Sequence, residues 1–89
     1  MEAREARVRL SEGALAVLRE VVGRPMDGYT VMSRTRLTPD DLVKALHELD
    51  RYSLIQVIGE KRAPDVGEAY VWVSPDVKGY ADFLLKWTP

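Results

Sequence analysis

A change from helical to extended periodicity within residues 38–58, TPDDLVKALHELDRYSLIQVI, constrains the fold more than any other feature of the sequence. Thr38 suits the N-cap of a helix, Pro39 its first position and Asp41 the third position of a near capping box. Apolar side chains then share one helical face at Leu42, Leu46 and Leu49. From Leu54 the pattern is extended, so the sequence predicts a helix that runs into a strand almost without a linker.

Shorter elements surround this helix. Ser11 suits the N-cap of a first helix, which Gly23 and Pro25 end. MDGYT predicts a turn into a short extended piece, and TVMSRTRL predicts about two helical turns with Thr30 as the cap. AYVWVS predicts the second strand of a hairpin, and SPD the start of a C-terminal helix at about 76–87. The predicted order is helix, short strand, helix, helix, strand, strand, helix, which is an α+β fold, mostly α.

This order resembles the winged helix-turn-helix superfamily, on the segments MSRTRLTPDDLVKALHELDRYSLIQV and YVWVSP. With the first helix, the resemblance covers about residues 11 to 75. It implies a three-helix core and a two-stranded hairpin wing, here with an extra C-terminal helix, in a domain of residues 11–89 after an N-terminal extension, residues 1–10. In small bacterial and archaeal regulators of this kind the third helix lies in the major groove of DNA and flanking helices dimerise. One departure is Ser53, where the family often has a helix-ending Gly.

Composition narrows the class of protein. The chain has 89 residues, of which 46% are hydrophobic and 30% charged, and this predicts one small globular domain. The absence of cysteine excludes disulfides, thiolate nucleophiles and sulfur-ligated zinc. No apolar run approaches the roughly 18 residues of a membrane span, and the N-terminus lacks the apolar core of a signal peptide, so we expect a cytoplasmic protein without a membrane partner. Because the net charge is −1, any DNA affinity must come from local clustering of cations.

Such clustering is present on the elements that a winged helix brings to one side. The cations lie on the polar arc of the third helix, just before that helix and in the predicted wing. We expect seven side chains to bind duplex DNA: Arg34, Arg36, Lys44, His47, Arg51, Lys61 and Arg62. The alternative is a solvated surface balanced by the acids Asp40, Asp41, Glu48, Asp50 and Glu60. A further set suits either a DNA arm or a frayed or helical extension: Arg4, Arg7 and Arg9.

Two aspartates at the start of the third helix oppose DNA binding at that end. The helix dipole favours Asp40 and Asp41 by roughly 0.3 to 1 kcal/mol, so structure alone explains them. A carboxylate ~6 Å from a phosphate costs roughly 1 to 3 kcal/mol, which is about one cationic contact. We therefore expect weak or tilted engagement of this helix, with the arginines and the wing supplying most of the attraction.

Catalysis is not predicted by any motif. His47 is the only histidine, and no second histidine or cysteine completes a metal site. Asp40 and Asp41 are adjacent on a helix and do not face one another as a catalytic dyad would. Gly23 and Gly28 do not have the spacing of a phosphate-binding loop. We expect no enzyme activity, catalytic residue, metal, cofactor or small-molecule substrate.

The C-terminal helix has more apolar surface than one core needs. Its apolar side chains spread over about 200°, whereas packing on one core requires about 100° to 120°. Since aromatic residues are enriched at interfaces, we expect a homodimer or partner contact through Tyr80, Phe83, Leu84 and Trp87. In the alternative, this helix folds across its own domain and the aromatics complete a thin core. Tyr70 and Trp72, on one face of the last strand, are expected to pack in the core, with base stacking as the second interpretation.

Two functional hypotheses follow. The first is a dimeric winged-helix protein that binds duplex DNA and regulates transcription. The second is a winged-helix module that binds another protein and no DNA, which the near-neutral charge suits better. Salt dependence separates them, because six phosphate contacts give a log-log slope of affinity against salt of about −5.

Overall fold

The structure, a computed structural model, describes residues 9–63 and 65–87. These residues form an α+β fold, mostly α, as the sequence predicts, and the predicted order of helices and strands is found, with one 3₁₀ helix added. In chain order the elements are α1 (Glu12–Val21), β1 (Met26–Asp27), α2 (Gly28–Thr35), α3 (Pro39–Arg51), β2 (Gln56–Ile58), the 3₁₀ helix (Asp65–Glu68), β3 (Tyr70–Trp72) and α4 (Pro75–Trp87).

Helix α3 starts where its capping residues predict. The hydroxyl oxygen of Thr38 accepts the N–H of Asp41 at 3.1 Å, and Pro39 occupies the first helical position, where a missing N–H costs nothing. The apolar face of the helix is buried in full at Leu42, Leu46 and Leu49. The N-terminus of α3 is therefore fixed by local sequence.

The end of α3 is a Schellman turn. Ser53 has φ 58, in the left-handed region, and its N–H donates to the carbonyl of Asp50 at 2.9 Å. The N–H of Leu54 donates to the carbonyl of Leu49 at 3.0 Å, and both side chains are fully buried. A serine thus holds the conformation that glycine adopts with least strain. Only residues 52–55 separate α3 from β2.

The start of α2 differs from the prediction. Asp27, and not Thr30, is the N-cap: its carboxylate accepts the N–H of Thr30 at 3.4 Å and the hydroxyl of Thr30 at 2.6 Å. Thr30 lies in the first turn as the donor of that pair. The extended piece precedes the turn, at Met26–Asp27, and does not follow MDGYT.

The sheet has three strands where a two-stranded hairpin was predicted. Its order is β1-β3-β2, and both neighbours of the central strand are antiparallel to it. Val71 of β3 lies between Met26 of β1 and Val57 of β2, and Val71 is fully buried. β1 joins the sheet by pairing with β3 beside the buried Val71. The two residues of β1 do not predict this pairing on their own.

The loop between β2 and β3 is folded back onto the domain. Its 3₁₀ helix packs against α2, with Val66 and Ala69 fully buried. The N–H of Gly28 donates to the carbonyl of Ala69 at 2.8 Å, and a Cβ on Gly28 would collide with the carbonyl oxygen of Val66. Only a residue without a side chain allows this approach. The second half of the predicted wing is therefore part of the core.

One core holds these elements together. It lies mainly between α1 and α3, and α4 packs against α1. The fully buried large side chains are Val17, Leu18, Val21, Val31, Leu42, Leu46, Leu49, Leu54, Val66 and Val71. Leu10, just before the N-cap of α1, packs against this core. The outer face of α3 is left exposed beside the N-terminal end of α1.

Candidate functional site

An open groove of about 380 Å³ lies along the outer face of α3. Three of its basic side chains recur at helical spacing on α3, namely Lys44, His47 and Arg51. The fourth, Arg9, comes from the residues before α1. The groove therefore joins cations of two segments that are far apart in sequence, and we call these four residues the basic groove.

A carboxylate inside the groove is satisfied by the backbone of α1. Glu48 accepts the N–H of Ser11 at 2.8 Å and the hydroxyl of Ser11 at 2.7 Å. The same hydroxyl oxygen caps α1 by accepting the N–H of Ala14 at 3.2 Å. Glu48 is thus held at the positive end of the α1 dipole, which offsets part of its charge.

The start of the β2–β3 loop is attached to α3 beside the groove. Nε2–H of His47 donates to the carbonyl oxygen of Lys61 at 3.1 Å. The ammonium group of Lys61 donates to the carboxylate of Asp50 at 2.7 Å. These two contacts place Lys61 next to the basic groove, on the side of α3 that the sequence predicts to meet DNA.

Three of the seven predicted DNA-binding residues are engaged in ion pairs. Arg34 pairs with Glu20 at 2.6 Å, Lys61 with Asp50 at 2.7 Å and Arg62 with Glu60 at 3.2 Å. Within residues 9–63 and 65–87, no carboxylate lies at ion-pair distance from the guanidinium or ammonium groups of Arg9, Arg36, Lys44 and Arg51. The three cations of the basic groove, Arg9, Lys44 and Arg51, therefore have no ion-pair partner among the described acids, and the carboxylate of Glu48 offsets only part of their charge.

The predicted cations do not all share one place. Arg34 lies with Glu20 at the C-terminal end of α1, whereas Ser11 and the groove lie at its N-terminal end. A ten-residue helix separates these ends by about 15 Å. Arg36 ends α2 in the left-handed region, with φ 66, and does not line the groove. The structure brings together Lys44, His47, Arg51 and Lys61 of the predicted set.

The acids at the start of α3 are exposed and lie outside the groove. Along the axis of α3, Asp40 lies about one helical turn before Lys44 and about 16 Å before Arg51. A ligand that lies over Lys44, His47 and Arg51 is therefore displaced toward the C-terminal half of α3. This displacement reduces the repulsion that Asp40 and Asp41 exert on it.

Sequence reasoning assigned Arg9 to a DNA arm or an extension and did not place it beside α3. The other two residues of that arm, Arg4 and Arg7, lie outside the described residues. The position of Arg9, two residues before the N-cap Ser11, is the one signal that ties it to the start of α1. The contact between Ser11 and Glu48 spans 37 positions and has no local signal.

The predicted interface on α4 divides into two faces. Leu84 is only 7% exposed and belongs to the core of its own domain, so it does not lie on an outer face as predicted. Tyr80, Phe83 and Trp87 are 45%, 54% and 68% exposed. The rings of Phe83 and Trp87 lie 6.1 Å apart in a tilted arrangement. The three aromatic side chains form one outer stripe.

A second apolar surface lies on the sheet. Ile58 of β2 faces Tyr70 of β3 across the strands, and these side chains are 65% and 46% exposed. Trp72 is half-buried on the same face, with its ring 6.2 Å from that of Tyr70. The expectation that Tyr70 packs in the core is wrong, because the alternation of β3 buries Val71 and turns Tyr70 outward.

Among the described residues, no three His, Asp or Glu side chains are grouped so that they could hold a metal ion. None of the helices in this part of the chain has the length and apolarity needed to cross a membrane. Comparison of the chain with known protein families, with curated proteins and with solved structures found no match.

Proposed function

We propose that this protein is a winged-helix protein that binds duplex DNA through the basic groove on α3 and acts in transcriptional regulation. The observation that carries the proposal is the convergence of Arg9, Lys44, His47 and Arg51 on one open surface, without ion-pair partners for the two arginines and the lysine among the described acids. The element order and the sheet order β1-β3-β2 support the winged-helix assignment.

The geometry of α3 favours a phosphate backbone as the ligand. Lys44 and Arg51 are seven positions apart, which is about 10 Å along the helix axis. Phosphates recur along a DNA strand, so two cations about 10 Å apart on one helix face can contact different phosphates of the same strand. An extended row of charges matches an open groove with its cations in a line, whereas a single small anion would contact only part of it.

The charges also determine how strong this binding is. Since Lys61 and Arg62 are held by Asp50 and Glu60, they bind DNA only when those acids release them. Three unpaired cations give a log-log slope of affinity against salt of about −3, shallower than the −5 of six contacts. We expect affinity in the range of non-specific binding, roughly 10⁻⁴ to 10⁻⁶ M at physiological salt.

The test is fluorescence anisotropy of a labelled duplex over a series of salt concentrations. Replacing Lys44 and Arg51 together by glutamine should reduce affinity at low salt by at least about tenfold and bring the slope to about −1. A matched control replaces Arg19 on α1 and Arg24, which follows α1, by glutamine, which changes the net charge equally at exposed positions outside the groove. No binding of the wild-type protein at low salt, or equal losses in both variants, contradicts the proposal.

The second candidate function is a module that binds protein without DNA. The observation that favours it is the exposed apolar face of the sheet, where Ile58 and Tyr70 lie side by side. Two results together would establish this function instead. The wild-type protein would show no DNA binding by anisotropy, and it would capture a protein that the variants Ile58→Ser and Tyr70→Ser no longer bind.

A further inference from the structure

The imidazole ring of His47 is attached through one nitrogen to the backbone of the β2–β3 loop. Its Nε2–H donates to the carbonyl oxygen of Lys61 at 3.1 Å. Because a carbonyl oxygen only accepts hydrogen bonds, this contact requires the proton of the neutral ring to be on Nε2. Nδ1 then carries a lone pair and no proton. The residue is exposed and lines the basic groove, so a neutral His47 has no hydrogen-bond donor left for a ligand there.

This tautomer of His47 does not suit a phosphate ligand. Phosphate oxygens are acceptors, and the lone pair of Nδ1 offers them nothing to accept. Addition of a proton to Nδ1 removes the mismatch without loss of the loop contact, since both nitrogens of an imidazolium donate. The charged ring can hold the carbonyl of Lys61 with Nε2–H and a phosphate oxygen with Nδ1–H. Hydrogen bonds between such charged groups are roughly twice as strong as neutral ones.

We propose that the binding of duplex DNA at the basic groove takes up one proton, which binds to Nδ1 of His47, so that affinity rises as pH falls toward 6. Because the ligand is the phosphate backbone of the duplex, this inference rests on the proposed function. Histidine is the side chain whose charge ordinarily changes between about pH 5 and 8. His47 is the only histidine of the chain, so one residue accounts for the whole effect.

Charged groups from three parts of the chain lie around the ring: Lys44, Glu48, Asp50 and Arg51 of α3, Arg9 before α1, and Glu60, Lys61 and Arg62 of the β2–β3 loop. Asp50 is paired with Lys61, and Glu60 with Arg62. The unpaired cations of the groove oppose a further positive charge on the ring, whereas Glu48 favours it. A bound phosphate offsets those cations and adds a negative charge beside the ring. DNA thus favours the charged ring, and by linkage the charged ring favours DNA.

The added contact determines the size of the effect. With a neutral ring, three cations of the groove meet phosphates, and with a charged ring four do. The log-log slope of affinity against salt should therefore change from about −3 near pH 8 to about −4 near pH 6. We expect affinity to be about tenfold higher near pH 6 than near pH 8, as is typical of one hydrogen bond between charged groups.

The first experiment is fluorescence anisotropy of a labelled duplex at constant low salt, over a series of pH values from about 6 to 8. Far-UV circular dichroism at each pH checks that the protein is folded. His47→Gln replaces the ring by an amide that does not titrate, so this variant should lose the pH dependence and bind about tenfold more weakly than the wild type near pH 6. The matched comparison is Lys44→Gln, which should bind more weakly at every pH and keep the pH dependence.

The second experiment is long-range ¹H–¹⁵N NMR of the ring, which reports directly which nitrogen carries a proton. The free protein near pH 8 should show the Nε2–H tautomer, and saturation with the duplex near pH 7 should increase the fraction of rings protonated on both nitrogens. An Nδ1–H tautomer in the free protein overturns the geometry on which the inference rests, and this result needs no DNA.

The outcomes separate a failure of this inference from a failure of the proposed function. Binding that is equally strong near pH 6 and pH 8, or a pH dependence that His47→Gln retains, overturns proton uptake at His47 and leaves DNA binding in place. Transfer of the single ring proton to Nδ1 on binding also overturns it, because the ring then meets phosphate as a neutral donor and releases Lys61. Absence of binding by the wild-type protein at every pH overturns both.

Discussion

The carboxylate of Glu48 on α3 accepts two hydrogen bonds from Ser11, one from its N–H at 2.8 Å and one from its hydroxyl at 2.7 Å. Glu48 thus holds the N-terminus of α1 against α3 and at the same time places a carboxylate in the basic groove. Stability and DNA binding should therefore respond to its removal in opposite directions.

We expect Glu48→Ala to lower the free energy of unfolding by about 1 kcal/mol, because it removes both acceptors from the end of α1. The same change should raise affinity for duplex DNA about threefold at low salt, as one repulsion across ~6 Å of water is lost. Urea unfolding and anisotropy measure the two effects. Glu60→Ala, which removes an exposed partner of Arg62, is the stability control and should cost less than about 0.5 kcal/mol.

Ser53 adopts φ 58 in the Schellman turn after α3, so Ser53→Gly should relieve strain there. We expect a gain of about 0.5 to 1 kcal/mol in the free energy of unfolding, after the greater freedom of glycine in the unfolded chain is taken into account. Ser33→Gly, at an exposed position inside α2, is the matched control and should destabilise by about 0.5 kcal/mol. Equal effects of the two substitutions would contradict the assigned turn.

Two glycines should respond to alanine with opposite signs. A Cβ on Gly79 meets nothing within 4 Å, and this residue lies inside α4, so Gly79→Ala should stabilise by about 0.5 to 1 kcal/mol. Gly28→Ala drives a methyl group into the carbonyl of Val66 and should cost about 2 kcal/mol or more, since backbone must move. Thermal unfolding of the two variants beside the wild type checks both signs.

The hydrogen bond from the hydroxyl of Thr30, helped by backbone N–H groups, lowers the pKa of Asp27 below its ordinary value of 3.8. A carboxylate whose folded pKa is lowered contributes stability that is complete above the unfolded pKa and is lost as pH falls through the folded value. The difference in unfolding free energy between wild type and Asp27→Asn should therefore be constant near neutrality and shrink below pH 3.8.

Thr30→Val tests the cause of that shift. Without the hydroxyl donor, the carboxyl of Asp27 should titrate closer to its ordinary pKa, which carbon-detected NMR of the side chain measures directly. A titration midpoint that does not move in this variant would remove Thr30 as the main cause.

The sequence predicts those parts of the fold whose signals are local. Thr38 caps α3 by accepting the backbone N–H of Asp41, three residues later, so the start of this helix can be predicted from neighbouring residues alone. The cap of α2 was missed because Asp27 and Thr30 are both good caps and form one hydrogen-bonded pair, and only the backbone shows which of them lies outside the helix. The short strand before α2 was predicted, but its pairing with the hairpin was not, because β1 is two residues long and its partner β3 is distant in sequence.

The candidate site is predicted only in part for a similar reason. Helical spacing alone puts Lys44, His47 and Arg51 on one face of α3. The partners that neutralise other cations are distant in sequence, as Glu20 is from Arg34, and no periodicity reveals them. The apolar arc of α4 does not predict which of its residues face the core. In the structure α4 packs against α1, and Leu84 is one of the residues that this packing buries.

The short connection between α3 and β2, residues 52–55, has a mechanical consequence. Leu54 and Ile55 are buried directly after the Schellman turn, so the core that holds the end of α3 also holds the start of β2 and restricts rotation of one against the other. A ligand that touches both faces meets a surface of fixed curvature. Adjustment to its shape must then come from the ligand, for instance through bending of the duplex.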